Sequence, residues 1–138
     1  MKKKILLVSG DSYTEKDYIS LQNPKLDCDW PKWPEILAKK LDMDCVNLAM
    51  SGAGQEYIYS TIIDKLQTIE SSDIGLCIAA WSTANRRDYV SNRIWRTHIY
   101  GENERPALFF KEYITDLIDR SIRYFYTFQN ICEYLKIP

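Results

Sequence analysis

Three short apolar runs alternate with stretches in which apolar residues return every three or four positions, and this alternation predicts most of the architecture. Residues 4–9 (KILLVS) are largely apolar and stop at Gly10-Asp11-Ser12, the pattern of a strand buried on both faces. Residues 15–33 are broken by Asn23-Pro24 and Trp30-Pro31 and predict a loop. From Pro34 the spacing of Ile36, Leu37 and Leu41 predicts a short helix, with proline in the first turn, where its missing N–H is not needed. Residues 44–48 (DCVNL) predict a second strand and residues 49–54 (AMSGAG) a turn; Ile58, Ile62, Leu66 and Ile69 then recur on one helical face. Residues 74–81 (IGLCIAAW) form the third and most apolar run. Strand, helix, strand, helix, strand predicts a parallel sheet with right-handed crossovers.

The remainder is less regular. Residues 82–105 (STANRRDYVSNRIWRTHIYGENER) are polar and rich in arginine, and predict a long connection of the kind that often carries function. Residues 106–136 predict one long helix or two consecutive ones, along a stripe that includes Phe110, Ile114, Leu117, Phe125, Phe128 and Cys132. A fourth strand is expected to begin at Ile137-Pro138.

Composition narrows the class. A chain of 138 residues suffices for one domain, and 46% hydrophobic with 27% charged residues is the balance of a folded globular protein. A net charge of -1 provides no global field for nucleic acid or for an anionic membrane. The basic start Lys2-Lys3-Lys4 imitates a leader, but its apolar run is too short, and no segment reaches the length of a membrane span, so a cytoplasmic location is expected. Cys28, Cys45, Cys77 and Cys132 are scattered without a C-x-x-C pair, which favours free thiols over a disulfide framework. A single histidine, His98, gives little support for a zinc site.

Candidate chemistry lies at the strand ends. Ligands of open parallel sheets bind beyond the carboxyl ends of the strands. The three runs end in Gly10-Asp11-Ser12, in Ser51-Gly52-Ala53-Gly54 and in Trp81-Ser82-Thr83-Ala84-Asn85, so all three polar clusters emerge on one edge. Each cluster alone is ordinary turn material; together they suggest a site.

"ILLVSGDSYTE", then "VNLAMSGAG" leading into a helix, then an apolar strand with an Asn-containing loop, resembles the SGNH or GDSL hydrolases, a superfamily of esterases and lipases, over roughly residues 4–90. The resemblance implies a three-layer α/β/α, flavodoxin-like parallel sheet and ester hydrolysis without a metal or organic cofactor. It makes Ser12 the nucleophile, with the Ser12 and Gly52 N–H groups holding the oxyanion. Asn85 is the candidate for the third block's side-chain donor, with Ser82 or Arg86 as substitutes, because the family's Gly-x-Asn-Asp is replaced by Trp81-Ser82-Thr83-Ala84-Asn85-Arg86. Asp11, Arg86 and Trp81 are candidate substrate contacts. The substrate expected is a small-molecule or carbohydrate ester.

The chain departs from the family at the base. A serine hydroxyl is a weak nucleophile until a neighbouring base takes its proton, and the family's Asp-x-x-His block does not occur here. Trp95 stands three residues before His98 where that block needs aspartate, and His98 reads as a polar loop residue. The sheet is therefore expected to be incomplete and the chain to be the front part of such a domain, the alternatives being a lost base or one supplied by a partner. Arg86, Arg87, Arg93, Arg96 and Arg105 either clamp an anionic group or form a solvated loop balanced by Asp88, Glu102 and Glu104. The rival class is a noncatalytic module that binds phosphate or flavin with the same loops. Asp11 counts against an anion there, and no Walker sequence exists.

Overall fold

The computed structural model describes residues 2–20, 22–99 and 107–138, with side chains from residue 113 onward in the last segment. The chain folds as mixed α/β, with a parallel sheet of three strands, a separate two-stranded hairpin and three helices among these residues. β1 (Ile5–Ser9) is central. It pairs with β2 (Asp44–Asn47) on one side and β3 (Ile74–Ala79) on the other, both parallel, giving the order β2-β1-β3.

Alternation along β1 explains why its apolar run is unbroken. Leu6 and Val8 pack with Ala38, while Leu7 on the opposite face packs with Ile62, Cys77 and Cys132, and all three β1 residues are fully buried. A strand covered on both faces has no solvent side on which to place polar residues. Each such leucine stabilises the fold by roughly 2 kcal/mol through area removed from water.

α1 (Trp33–Lys40) has Pro34 and Glu35 in its first turn and Lys39 and Lys40 in its last, so its charges complement its own dipole. α2 (Gln55–Leu66) buries Ile58 and Ile62 completely. It stops at Leu66, before Ile69, and a single 3-10 turn at Ser71–Asp73 leads into β3. The long C-terminal stripe is one helix, α3 (Ala107–Leu135). Its Leu117, Ser121 and Cys132 are buried at helical spacing. The Cys77 and Cys132 thiols share a hydrogen bond in the core; that bond and burial push the Cys77 thiol up. Phe110 lies among the residues whose side chains are not described.

After α3 the Cys77 N–H of edge strand β3 donates to the Pro138 carbonyl (2.8 Å). No helix among the described residues is long and apolar enough to cross a membrane.

The expected loop at 82–105 is corrected over most of its length. Residues 86–99 form an antiparallel hairpin, β4 (Arg86–Ser91) and β5 (Ile94–Ile99), in register from Arg86↔Ile99 to Ser91↔Ile94. Asn92 and Arg93 close it with φ of 53° and 64°, the left-handed pair that a two-residue hairpin turn of type I′ needs. Arginine has no preference for that region, which is why composition concealed the turn. Arg93→Gly, creating the favoured Asn-Gly pair, is expected to stabilise the protein by roughly 1 kcal/mol. An unchanged or lowered urea midpoint for this variant would contradict the turn assignment.

Candidate functional site

Where β1 ends, the chain doubles back over the strand. The Asp11 carbonyl accepts from the Thr14 and Glu15 N–H groups (2.9 and 3.0 Å), and Asp11 Oδ1 accepts from the Tyr13 N–H (3.1 Å). Ser12 sits inside this Asx-type turn. The turn lies so close to the strand that a Cβ on Gly10 would be 2.5 Å from Thr14 Oγ1, so glycine is required for that approach. Thr14 is buried, and Asn47 Nδ2 at the end of β2 donates to its carbonyl (2.7 Å).

The turn after β2 is laced to the same place. Met50 N–H donates to the Gly10 carbonyl (3.1 Å) and Ala53 N–H to the Met50 carbonyl (3.0 Å). Gly52 has φ of +82°, the third position of a type II turn, where any residue with a Cβ is strained.

Between these turns lies an open groove of about 710 Å³, lined by residues that include Ser12, Tyr13, Glu15, Tyr18, Ser51, Gly52, Arg86 and Ile99. Neither Ser12 N–H nor Gly52 N–H donates to a described residue. Ser51 Oγ donates to Glu15 Oε2.

Arg86 at the start of β4 crosses from the hairpin to both turns. Its Nη1 donates to Asp11 Oδ2 (3.2 Å) and to the Ala53 carbonyl (2.9 Å). Both members of this ion pair are largely shielded from water, with side chains 17% and 14% exposed. Ser82 Oγ also donates to Asp11 Oδ2 (3.2 Å), and the Gln55 amide grips the Ser82 backbone from both sides, accepting from its N–H (3.2 Å) and donating to its carbonyl.

Two residues further along the same face of β4, Asp88 is 4% exposed. Its carboxylate accepts from the Gly54 and Tyr57 N–H groups (2.8 Å each) at the start of α2 and from Thr97 Oγ1 (2.5 Å) on β5. A carboxylate here satisfies amides that the helix itself cannot pair and is favoured by the helix dipole. Tyr57 reinforces the junction, donating its hydroxyl to the Leu48 carbonyl (2.8 Å) and meeting the Trp95 ring edge-on at 5.5 Å. Burial, followed by the nearby Glu15 and Asp88 carboxylates, pushes the Tyr57 phenol up, which keeps it a donor.

The structure brings Ser12, Gly52 and Arg86 to one groove, with Asp11 behind Arg86. It leaves two candidates elsewhere. Asn85 occupies the turn just before β4 and does not line the groove. The Trp81 ring packs against Phe125 and Phe128 of α3, at 4.5 and 5.8 Å between centroids. His98 is paired across the hairpin with Arg87, on the face opposite Arg86 and Ile99. Arg93 is exposed in the hairpin turn, and Arg105, Glu102 and Glu104 fall outside the described residues. Among the described residues no cluster of His, Cys, Asp or Glu could hold a metal ion.

Sequence reasoning missed Asp88 and Gln55 as organisers of this edge. Asp88 looked like one charge balancing several arginines. The signal that marks it is the alternation Arg86-x-Asp88 against Trp95-x-Thr97, which turns a polar segment into two strands with one inward face.

Comparison of the chain with protein-family models, with curated proteins and with solved structures finds no match. The fold and site define a mixed α/β protein with a groove at the carboxyl edge of a parallel sheet.

Asp88→Ala is expected to lower stability by about 2–3 kcal/mol, because two amides and a hydroxyl lose a charged acceptor in a buried place. Asp88→Asn, which keeps one acceptor oxygen, should lose less. Urea denaturation of the two variants checks the order; equal losses would mean that packing alone, not the carboxylate, holds the hairpin.

Proposed function

We propose that the groove is an acyl-ester site of the SGNH type and that Ser12 is its nucleophile. The observation that carries this reading is the convergence of Ser12 and Gly52, from two separate strand ends, on one groove with both of their N–H groups unengaged by described residues. Amides already fixed by turns are suited to an oxyanion, since they need no reorganisation as charge develops. In the proposed reaction Ser12 Oγ attacks the ester carbonyl, its proton leaves to a base, and the carbonyl oxygen becomes the anion held by the two amides. Collapse breaks the ester C–O bond and the alcohol leaves with that proton; water then adds to the acyl carbonyl, giving up a proton to the base, and Ser12 Oγ takes it back as the acid is released.

The substrate class proposed is a small-molecule or carbohydrate ester; Tyr13 and Tyr18 supply the rings that line the groove. The proposal includes a flavodoxin-like three-layer arrangement and a cytoplasmic setting. No described side chain is hydrogen-bonded to Ser12 Oγ.

That same observation, with His98 on the far face of the hairpin, favours a second reading: a module that binds at this edge without chemistry. Phosphate at the start of α2 is disfavoured even so, because the Asp88 carboxylate already takes the Gly54 and Tyr57 amides.

Incubation with an alkyl fluorophosphonate, followed by intact mass and peptide mapping, separates the two. The hydrolase reading expects one adduct, on Ser12, that is absent from Ser12→Ala. A wild-type protein that stays unlabelled, or a label that persists in Ser12→Ala, would leave only the binding reading.

A further inference from the structure

We propose that Arg86, in place of Asn85, supplies the side-chain donor for the oxyanion at this site. The inference rests on the acyl-ester reading for its chemistry, but the anion site it describes exists or fails independently of Ser12 reactivity.

Arg86 lines the groove together with Ser12 and Gly52, whereas Asn85 does not. A guanidinium carries five N–H donors in a rigid fork. Nη1 is committed to Asp11 and to the Ala53 carbonyl, while the Nε and Nη2 hydrogens donate to no described residue. Donors left over on a side chain only 17% exposed represent unused capacity at low dielectric, where a developing negative charge benefits most.

Orientation is settled before any ligand arrives. Asp11 belongs to the Ser12 turn and the Ala53 carbonyl to the Gly52 turn, so the two bonds of Nη1 reference Arg86 to both sources of backbone N–H. Asp88, two residues along β4, anchors the same strand to the start of α2. The guanidinium is thus held in place whatever the reaction stage. Asp11 pairs with Nη1 alone. An asparagine would offer a neutral N–H donor at this position; arginine offers a charged one.

The probe is methylphosphonate, a tetrahedral oxyanion that needs no nucleophile, titrated into Ser12→Ala by amide chemical shifts. Binding at the groove is expected, weakened at least 10-fold by adding Arg86→Gln and less by Arg86→Lys, which keeps the charge but not the fork. Asn85→Ala should weaken it less than Arg86→Gln does, and Arg87→Gln, of equal charge change on the outer face, should leave it within twofold. In a protein with Ser12 present, Arg86→Gln should slow fluorophosphonate labelling by about 100-fold.

Methylphosphonate binding that is absent, indifferent to Arg86→Gln, or lost equally in Arg87→Gln or Asn85→Ala overturns the assignment. Arg86-dependent binding without labelling of the wild type refutes the hydrolase reading and upholds the anion site. Labelling that Arg86→Gln does not slow upholds the hydrolase and refutes Arg86 as its donor. Arg86→Lys and far-UV circular dichroism of every variant guard against reading a folding defect as lost binding.

Discussion

The buried carboxylate of Asp88 is the interaction on which the carboxyl edge of this molecule depends. It joins two segments far apart in the chain: the first turn of α2, through the Gly54 and Tyr57 amides, and the hairpin that carries Arg86 and Thr97. A buried carboxylate is costly unless its oxygens are fully engaged, and three donors make the position tenable. Because the amides it accepts from are those that α2 leaves unpaired, one contact removes two problems, an uncapped helix and an unanchored hairpin.

The second constraint is the parallel sheet. With β1 covered on both faces, its side chains are committed to packing, and chemistry can reside only where the strands run out. There the turns are tied to one another by hydrogen bonds, from the Met50 N–H to the Gly10 carbonyl and from the Asn47 side-chain amide to the Thr14 carbonyl, so the loops that frame the groove are extensions of the sheet rather than free segments. The Ser82 segment is bound in the same way by Gln55 and Asp11. Binding residues are most accurately placed when loops are braced by a rigid scaffold.

The electrostatics of the groove differ from what its arginine-rich segment suggests. Arg87, Arg93 and Arg96 belong to the outer face or the turn of the hairpin, and among the described arginines of the segment only Arg86 lines the groove, where Asp11 partners it. Glu15 and Asp17 line the groove as well, which makes it locally acidic around a single oriented guanidinium. Broad attraction of anionic substrates is therefore not its character; a positioned charge is.

The sequence by itself determined the three parallel strands, the amphipathic faces of α1 and α2 and the long C-terminal helix, because apolar periodicity is a local record of which face must be buried. It also marked Gly10-Asp11-Ser12 and Gly52 as strand-end turns, through residue types that tight turns demand. Pairing was decided only in three dimensions. The hairpin escaped notice because its turn uses Asn92-Arg93 in a left-handed conformation that arginine does not advertise, and its outward face is polar. Trp81 could have faced a ligand or the core, and α3 took it. Asp88 and Arg86 differ little as letters from their charged neighbours; what separates them is the inward face of a strand, and that face exists only once β4 has found α2.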